Sequence, residues 1–223
     1  MSSANLKKSA IPSIGIINMG ISNVKSIQYL ASKLQYNSTI LSSPSQVTTE
    51  KILVLPGVGS FDAGVSSLKA HSWPSYLIDY ISDTSNAIIG ICLGMQLMFE
   101  GSQEGDLPGL GLLPGRICKL SQQDNCSGNI KLPHIGWKYV DSTNKMFMNS
   151  DLSSCLHNQR FYFVHSYAHF PVSSDLTLAT CDHGVSFSAS VCSNNIIGFQ
   201  FHPEKSHRYG LSLMSTVFSS VLQ

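Results

Sequence analysis

The sequence is short of charge. Asp, Glu, Lys and Arg together make up 12% of its residues, about half the usual share in a soluble domain. Only three are arginine (Arg116, Arg160 and Arg208), they lie far apart, and the formal net charge is +1. With no basic cluster, nucleic-acid binding is not expected. No apolar run is long enough to cross a bilayer, so no membrane span is expected either. Residues 1–9 are polar and lack the apolar core of a signal peptide. CxxC spacing is absent. The six cysteines, at 92, 118, 126, 155, 181 and 192, are expected as free thiols of a cytoplasmic chain. The glycosylation patterns at Asn37 and Asn125 then carry no weight. No grouping of His, Cys, Asp and Glu has metal-ligand spacing. No Gly-Lys-Ser/Thr follows the glycine turn at Gly57, and Gly15, Gly20 and Asn23 do not form a dinucleotide fingerprint. Neither metal nor cofactor is expected.

What is present is apolar patterning. The chain has 223 residues, 43% of them hydrophobic, enough for one well-packed domain over 10–223 with a short polar extension at 1–9. Strands are predicted at 13–18, 51–55 and 87–91. A helix is predicted from about Asn23, with Val24, Ile27, Ala31 and Leu34 on one face. Residues 63–82 read as helix broken near Pro74, 95–100 as helix, and 108–115 as a Gly/Pro-rich loop. The later half is richer in strands, at 161–167, 176–181, 185–191 and 196–201, and a closing helix starts near His207. Strands alternating with helices predict an α/β fold, a mostly parallel open sheet with helices on both faces. Extra antiparallel strands are expected in the C-terminal half.

Three stretches could carry chemistry. Gly90-Ile91-Cys92-Leu93-Gly94 has the strand–turn–helix setting of a nucleophile elbow, with Cys92 as nucleophile. Small residues around it permit the sharp turn, and a thiol at a helix start is favoured as thiolate. His202-Pro203-Glu204 follows the strand ending at Phe201. Pro203 keeps His202 out of the α region, and in an extended segment Glu204 would point to the same side. His202 would then take the thiol proton while Glu204 fixes its tautomer. His165, in Phe161-Tyr162-Phe163-Val164-His165-Ser166-Tyr167, is the competing base. Leu55-Pro56-Gly57-Val58-Gly59-Ser60-Phe61 ends a strand in two glycines and could aim backbone N–H groups at an oxyanion, with the Leu93 N–H as second donor.

Together these motifs resemble the class I, or triad-type, glutamine amidotransferases, from about Ile14 to the C-terminus. Pro133-His134-Ile135-Gly136-Trp137 and Phe163-Val164-His165-Ser166-Tyr167 are most similar to the glutaminase subunits of imidazole glycerol phosphate synthase. The resemblance implies a flavodoxin-like fold, a Cys92–His202–Glu204 triad, and an oxyanion hole from the Val58 and Leu93 N–H groups. It also implies glutamine contacts at Gly57, Gly59, Gln96, His165, Ser166 and Tyr167. It further implies L-glutamine as substrate and a (β/α)8-barrel cyclase as heterodimer partner, with Trp137 and Lys138 at the partner interface or gate. The family usually carries Asp-Tyr-Gly and then Gly-Asn after the first strand, and Asn after Gly-Trp. Here the segments read Asn18-Met19-Gly20-Ile21-Ser22-Asn23 and Lys138. A sugar-modifying synthase as ammonia acceptor therefore stays open, as does a stand-alone cysteine hydrolase or peptidase.

Overall fold

The computed structural model describes residues 13–122, 130–142, 150–170 and 175–222. The expected polar extension at 1–9, Cys126 and the pattern at Asn125 lie outside them. The first half alternates strand and helix: β1 (Ser13–Ile17), α1 (Val24–Lys33), β2 (Asn37–Leu41), β3 (Ile52–Gly57), α2 (Phe61–Ala70), α3 (Trp73–Ser82), β4 (Ala87–Cys92) and α4 (Leu93–Leu97). Then come β5 (Gly101–Ser102), β6 (Arg116–Lys119), β7 (His134–Ser142), α5 (Ser150–Leu156), β8 (Gln159–His165) and β9 (Tyr167–His169). The chain closes with β10 (Thr177–Asp182), β11 (Ser186–Ser193), β12 (Ile196–Phe199) and α6 (His207–Leu222).

The main sheet runs β2-β1-β3-β4-β12-β11-β10-β7-β8. The pairs from β2 to β12 are parallel, and those from β12 to β8 are antiparallel. A small second sheet joins β5, β6 and β9. The parallel half carries the expected antiparallel additions from the later chain, which make the whole sheet mixed. The side-chain period of two splits each central strand between two cores. Ile52 and Val54 of β3 pack on the side that holds Ile27, Leu213 and Phe218. Leu53 and Leu55 pack on the side that holds Phe61, Leu68, Leu77 and Leu97. Among the described residues no helix is long and apolar enough to cross a membrane.

Several local expectations need correction. The helix placed at 95–100 instead spans Leu93–Leu97. It ends early because the Gly/Pro-rich loop takes its last carbonyls: Leu110 N–H donates to Leu97 O, Leu112 N–H to Met98 O and Gly109 N–H to Glu100 O. The strand read across 161–167 breaks at Ser166, so β8 stays in the main sheet and β9 enters the small one. The helix at 63–82 is two helices parted at His71–Ser72, with Pro74 in the first turn of α3, where its missing N–H is harmless. Strands β2, β5, β6 and β7 and helix α5 were not foreseen.

Helix α4 approaches β3 too closely for a side chain to fit between them. A Cβ on Gly94 would lie 1.7 Å from the Leu55 carbonyl oxygen. Gly94→Ala is therefore expected to destabilise the chain by about 3 kcal/mol or more. Denaturant melts of the two proteins measure it, and an unchanged midpoint would contradict this packing.

Candidate active site

Cys92 stands where β4 hands over to α4, with φ +53° and ψ −111°. A side chain in that conformation is strained and persists only where its surroundings fix it. The surroundings here are glycine. A Cβ on Gly90 would sit 2.7 Å from the Met95 Cα and backbone N, and Gly94 is pinned as described. The turn is thus as sharp as the elbow pattern requires. The thiol is buried, with the Val164 carbonyl 3.8 Å and Gln200 Nε2 3.9 Å from Sγ.

Sheet register brings the other groups to it. Gly57 of β3 lies opposite Cys92, and Phe199 of β12 lies opposite Ile91, so the chain leaving β12 passes the elbow. His202 has φ −104° and ψ 95°, extended as Pro203 demands. Its Nδ1 is 2.8 Å from Glu204 Oε1, and both side chains are almost fully buried. The reason differs from the expected one: Glu204 sits in a short 3₁₀ turn, Pro203–Lys205, not in an extended segment. Backbone anchors hold the turn. His202 N–H donates to Tyr162 O (2.9 Å) and the Ser206 hydroxyl donates to His202 O (2.6 Å).

The two candidate bases differ in charge. Burial works against a charged His202 ring, but the Cys92 sulfur and the Glu204 carboxylate beside it outweigh burial and raise its pKa to about 9. For His165, burial wins and lowers the pKa to about 3. Both its ring nitrogens are also engaged, Nδ1 with Tyr167 O at 2.9 Å and Nε2 with His134 Nδ1 at 3.1 Å. His165 is therefore not placed to act as a base for Cys92.

Val58 N–H, one expected oxyanion donor, donates to the Ile21 carbonyl at 3.1 Å. In this conformation it is committed away from the nucleophile. Gly59 follows with φ +115°, a backbone freedom that a peptide rotation here would use. Leu93 opens α4, where first-turn N–H groups lack intrahelical acceptors.

A cavity of about 310 Å³ opens beside Cys92. Its lining brings together Val58, Gly59, Leu93, Gln96, His165, Ser166 and Tyr167, all foreseen, and adds Val164, Glu104 and Lys205, which were not. Gly57 lies just behind it, its Cα face against Leu93 and Gly94. Gln96 is held by one amide nitrogen, which donates to Tyr167 O (2.9 Å) and to Gln200 Oε1 (3.0 Å). Glu104 accepts from Phe61 N–H (3.0 Å), and burial pushes its carboxyl pKa up. Its loop carries no motif, so only the fold reveals it. Trp137 stacks parallel on His207 with centroids 5.4 Å apart. Lys138, one residue on, points to the other face of β7, where its charge is felt at His134 and Cys181. The two expected interface residues therefore do not share a face.

The raised pKa of His202 has a stability consequence. A pKa lifted from about 6.5 to about 9 favours the folded state fully below the lower value, and the contribution is lost as pH rises through the upper one. Wild type should therefore exceed Glu204→Gln in Tm most at about pH 6, and the gap should narrow by about pH 9.5. Thermal melts across that range check it; a constant gap would contradict the charged pair.

Comparison with known proteins agrees with this geometry. The family model described as "Glutamine amidotransferase class-I" matches residues 15–218. Imidazole glycerol phosphate synthase subunit HisH 2 of Methanococcus maripaludis is 38% identical over 201 residues, covering 90% of this chain and 96% of the relative. Subunit HisH 1 of Prochlorococcus marinus is 40% identical over 208 residues, covering 89% and 93%. A crystal structure of a glutamine amidotransferase shares the fold at TM-score 0.71 and 13% identity, over 93% of this chain and 98% of that one. The structure of PurLQS from Thermotoga maritima does so at 0.69 and 15%, over 95% and 100%. The chain belongs to the class-I glutamine amidotransferases and, among them, to the HisH subunits of imidazole glycerol phosphate synthase.

Proposed function

We propose that the chain hydrolyses L-glutamine and passes the ammonia to a (β/α)8-barrel cyclase subunit, in the cytoplasm, for imidazole glycerol phosphate formation in histidine biosynthesis. The observation that carries the reading is the buried Cys92 beside the His202–Glu204 pair, at the edge of a cavity sized for one small amino acid. Cys92 thiolate attacks the side-chain carboxamide, and the tetrahedral oxyanion is held by the Leu93 and Val58 N–H groups. Protonated His202 donates its proton to the departing nitrogen, which leaves as ammonia, and the glutamyl thioester remains. Water, deprotonated by His202, then cleaves the thioester, releases glutamate and restores the thiol. Gln96, Gly59, Ser166 and the Tyr167 segment bind the amino-acid end, and the Glu104 carboxylate suits the α-ammonium.

Val58 must first leave the Ile21 carbonyl, so hydrolysis awaits a peptide rotation next to Gly59. An occupied partner is the natural trigger for it, because ammonia released into water is protonated and loses its nucleophilicity. The exposed Ile135 and Tyr139 of β7, with Trp137, offer an apolar surface for docking. Free thiols at Cys92, Cys118, Cys155, Cys181 and Cys192 suit a reducing compartment.

Glutamate release is expected to rise by at least about tenfold when a histidine-pathway cyclase and its nucleotide substrate are added together. A rate indifferent to both would remove the cyclase as partner and leave a sugar-modifying synthase or a stand-alone hydrolase. Cys92→Ala should lower glutamine-dependent synthesis by about 10³-fold or more, while ammonia-dependent synthesis by the complex continues. Loss of both activities would argue against a pure ammonia donor.

A further inference from the structure

His134 opens β7, directly opposite His165 in the β7–β8 pairing. It has no part in the chemistry above, yet its ring is 1% exposed and lies within hydrogen-bonding distance of a cavity residue. One carbonyl fixes the protons of both rings. Tyr167 O can only accept, so His165 Nδ1, 2.9 Å away, carries the hydrogen. Burial keeps His165 uncharged, with a pKa near 3, so its Nε2 is bare and accepts. The group 3.1 Å away, His134 Nδ1, must then be N–H. His134 is likewise held neutral by burial, near 3, so its Nε2 is bare. That nitrogen is buried with no hydrogen-bond partner, and the ring stacks on Phe163 at 4.9 Å and on His183 at 4.1 Å.

The chain of donors ends in the glutamine site. The Tyr167 carbonyl that accepts from His165 also accepts from Gln96 Nε2, which is shared with Gln200. Two side chains of the cavity wall, His165 and Gln96, are thus tied to one backbone oxygen. His134 supplies the remaining hydrogen bond that keeps the His165 ring in the orientation serving that oxygen.

We infer that His134 is a positioning residue for glutamine binding, acting through the His134 Nδ1–His165 Nε2 hydrogen bond to hold the Ser166–Tyr167 segment and Gln96 in register. This rests on the glutaminase reading given above. The role requires one donor at the Nδ1 position and nothing from Nε2. Asparagine places an amide nitrogen near Nδ1 and can replace it, whereas phenylalanine keeps the ring stack and removes the donor.

The test is steady-state glutamate release by His134→Asn and His134→Phe, each in complex with the cyclase, with Tm measured in parallel. His134→Phe should raise KM for glutamine roughly tenfold, as expected for a buried acceptor left unpaired, with kcat within about threefold. His134→Asn should restore KM to within about threefold of wild type. Should His134→Phe fail to fold, His134→Gln, whose amide falls near the Nε2 position, supplies the same contrast with His134→Asn. A lowered Tm with KM unchanged would assign His134 to packing alone and overturn the inference, as would equal KM increases in the Asn and Phe variants. Wild-type turnover with no KM effect sinks only the His134 role; a wild type that releases no glutamate sinks the glutaminase reading and this inference with it.

Discussion

The site depends on how closely α4 leans on β3. A helix that starts one residue after Cys92 must place its first turn over the strand carrying Pro56-Gly57, and only a residue without a side chain fits at position 94. That contact fixes the positive φ of Cys92 and aims the thiol into the cavity instead of into the sheet. It also brings the Leu93 N–H and the Gly57-Val58-Gly59 turn to one side of the sulfur. Parallel pairing of β4 with β3 and β12 completes the assembly, since all three strands end together and their loops converge beyond their carboxyl ends.

Electrostatics then divides labour among similar groups. His134, His165, His169 and His202 are all buried, yet only at His202 do a neighbouring sulfur and carboxylate outweigh the burial that disfavours charge. The other three are pushed down to about 3 or 4 by desolvation. The Cys92 sulfur and the Glu204 carboxylate thus separate the charged His202 ring from three buried neutral ones. The Val58–Ile21 hydrogen bond adds a second division, between the neighbouring Cys92, His202 and Glu204 side chains and a backbone N–H turned elsewhere.

Much of this was legible along the chain. Gly90, Cys92 and Gly94 are local in sequence, and the elbow is a local structure, so spacing sufficed. His202, Pro203 and Glu204 are equally local, and the pairing came out even though the turn was 3₁₀ and not extended. Central strands such as β3 and β4 are apolar throughout because both faces are buried. Strand β2 was missed because it is an edge strand, half-exposed, and its Asn37-Ser38-Thr39 gives no apolar signal. Strand β7 was missed because it mixes exposed aromatics and Lys138 with a few buried positions.

The sequence by itself determined the sharp turn at Cys92, the His202–Glu204 pair and the α/β class, because each is encoded by residues within a few positions of one another. Only the tertiary structure decided which histidine carries the charge, since that depends on what is packed around each ring and not on its neighbours in sequence. It alone supplied Glu104, which reaches the cavity through a loop pinned to the start of α2. It alone joined His134 to His165, residues 31 apart that meet across two strands. And it alone set Val58 against Ile21, because the direction of a peptide N–H is a choice of backbone rotation that residue identity permits but does not dictate.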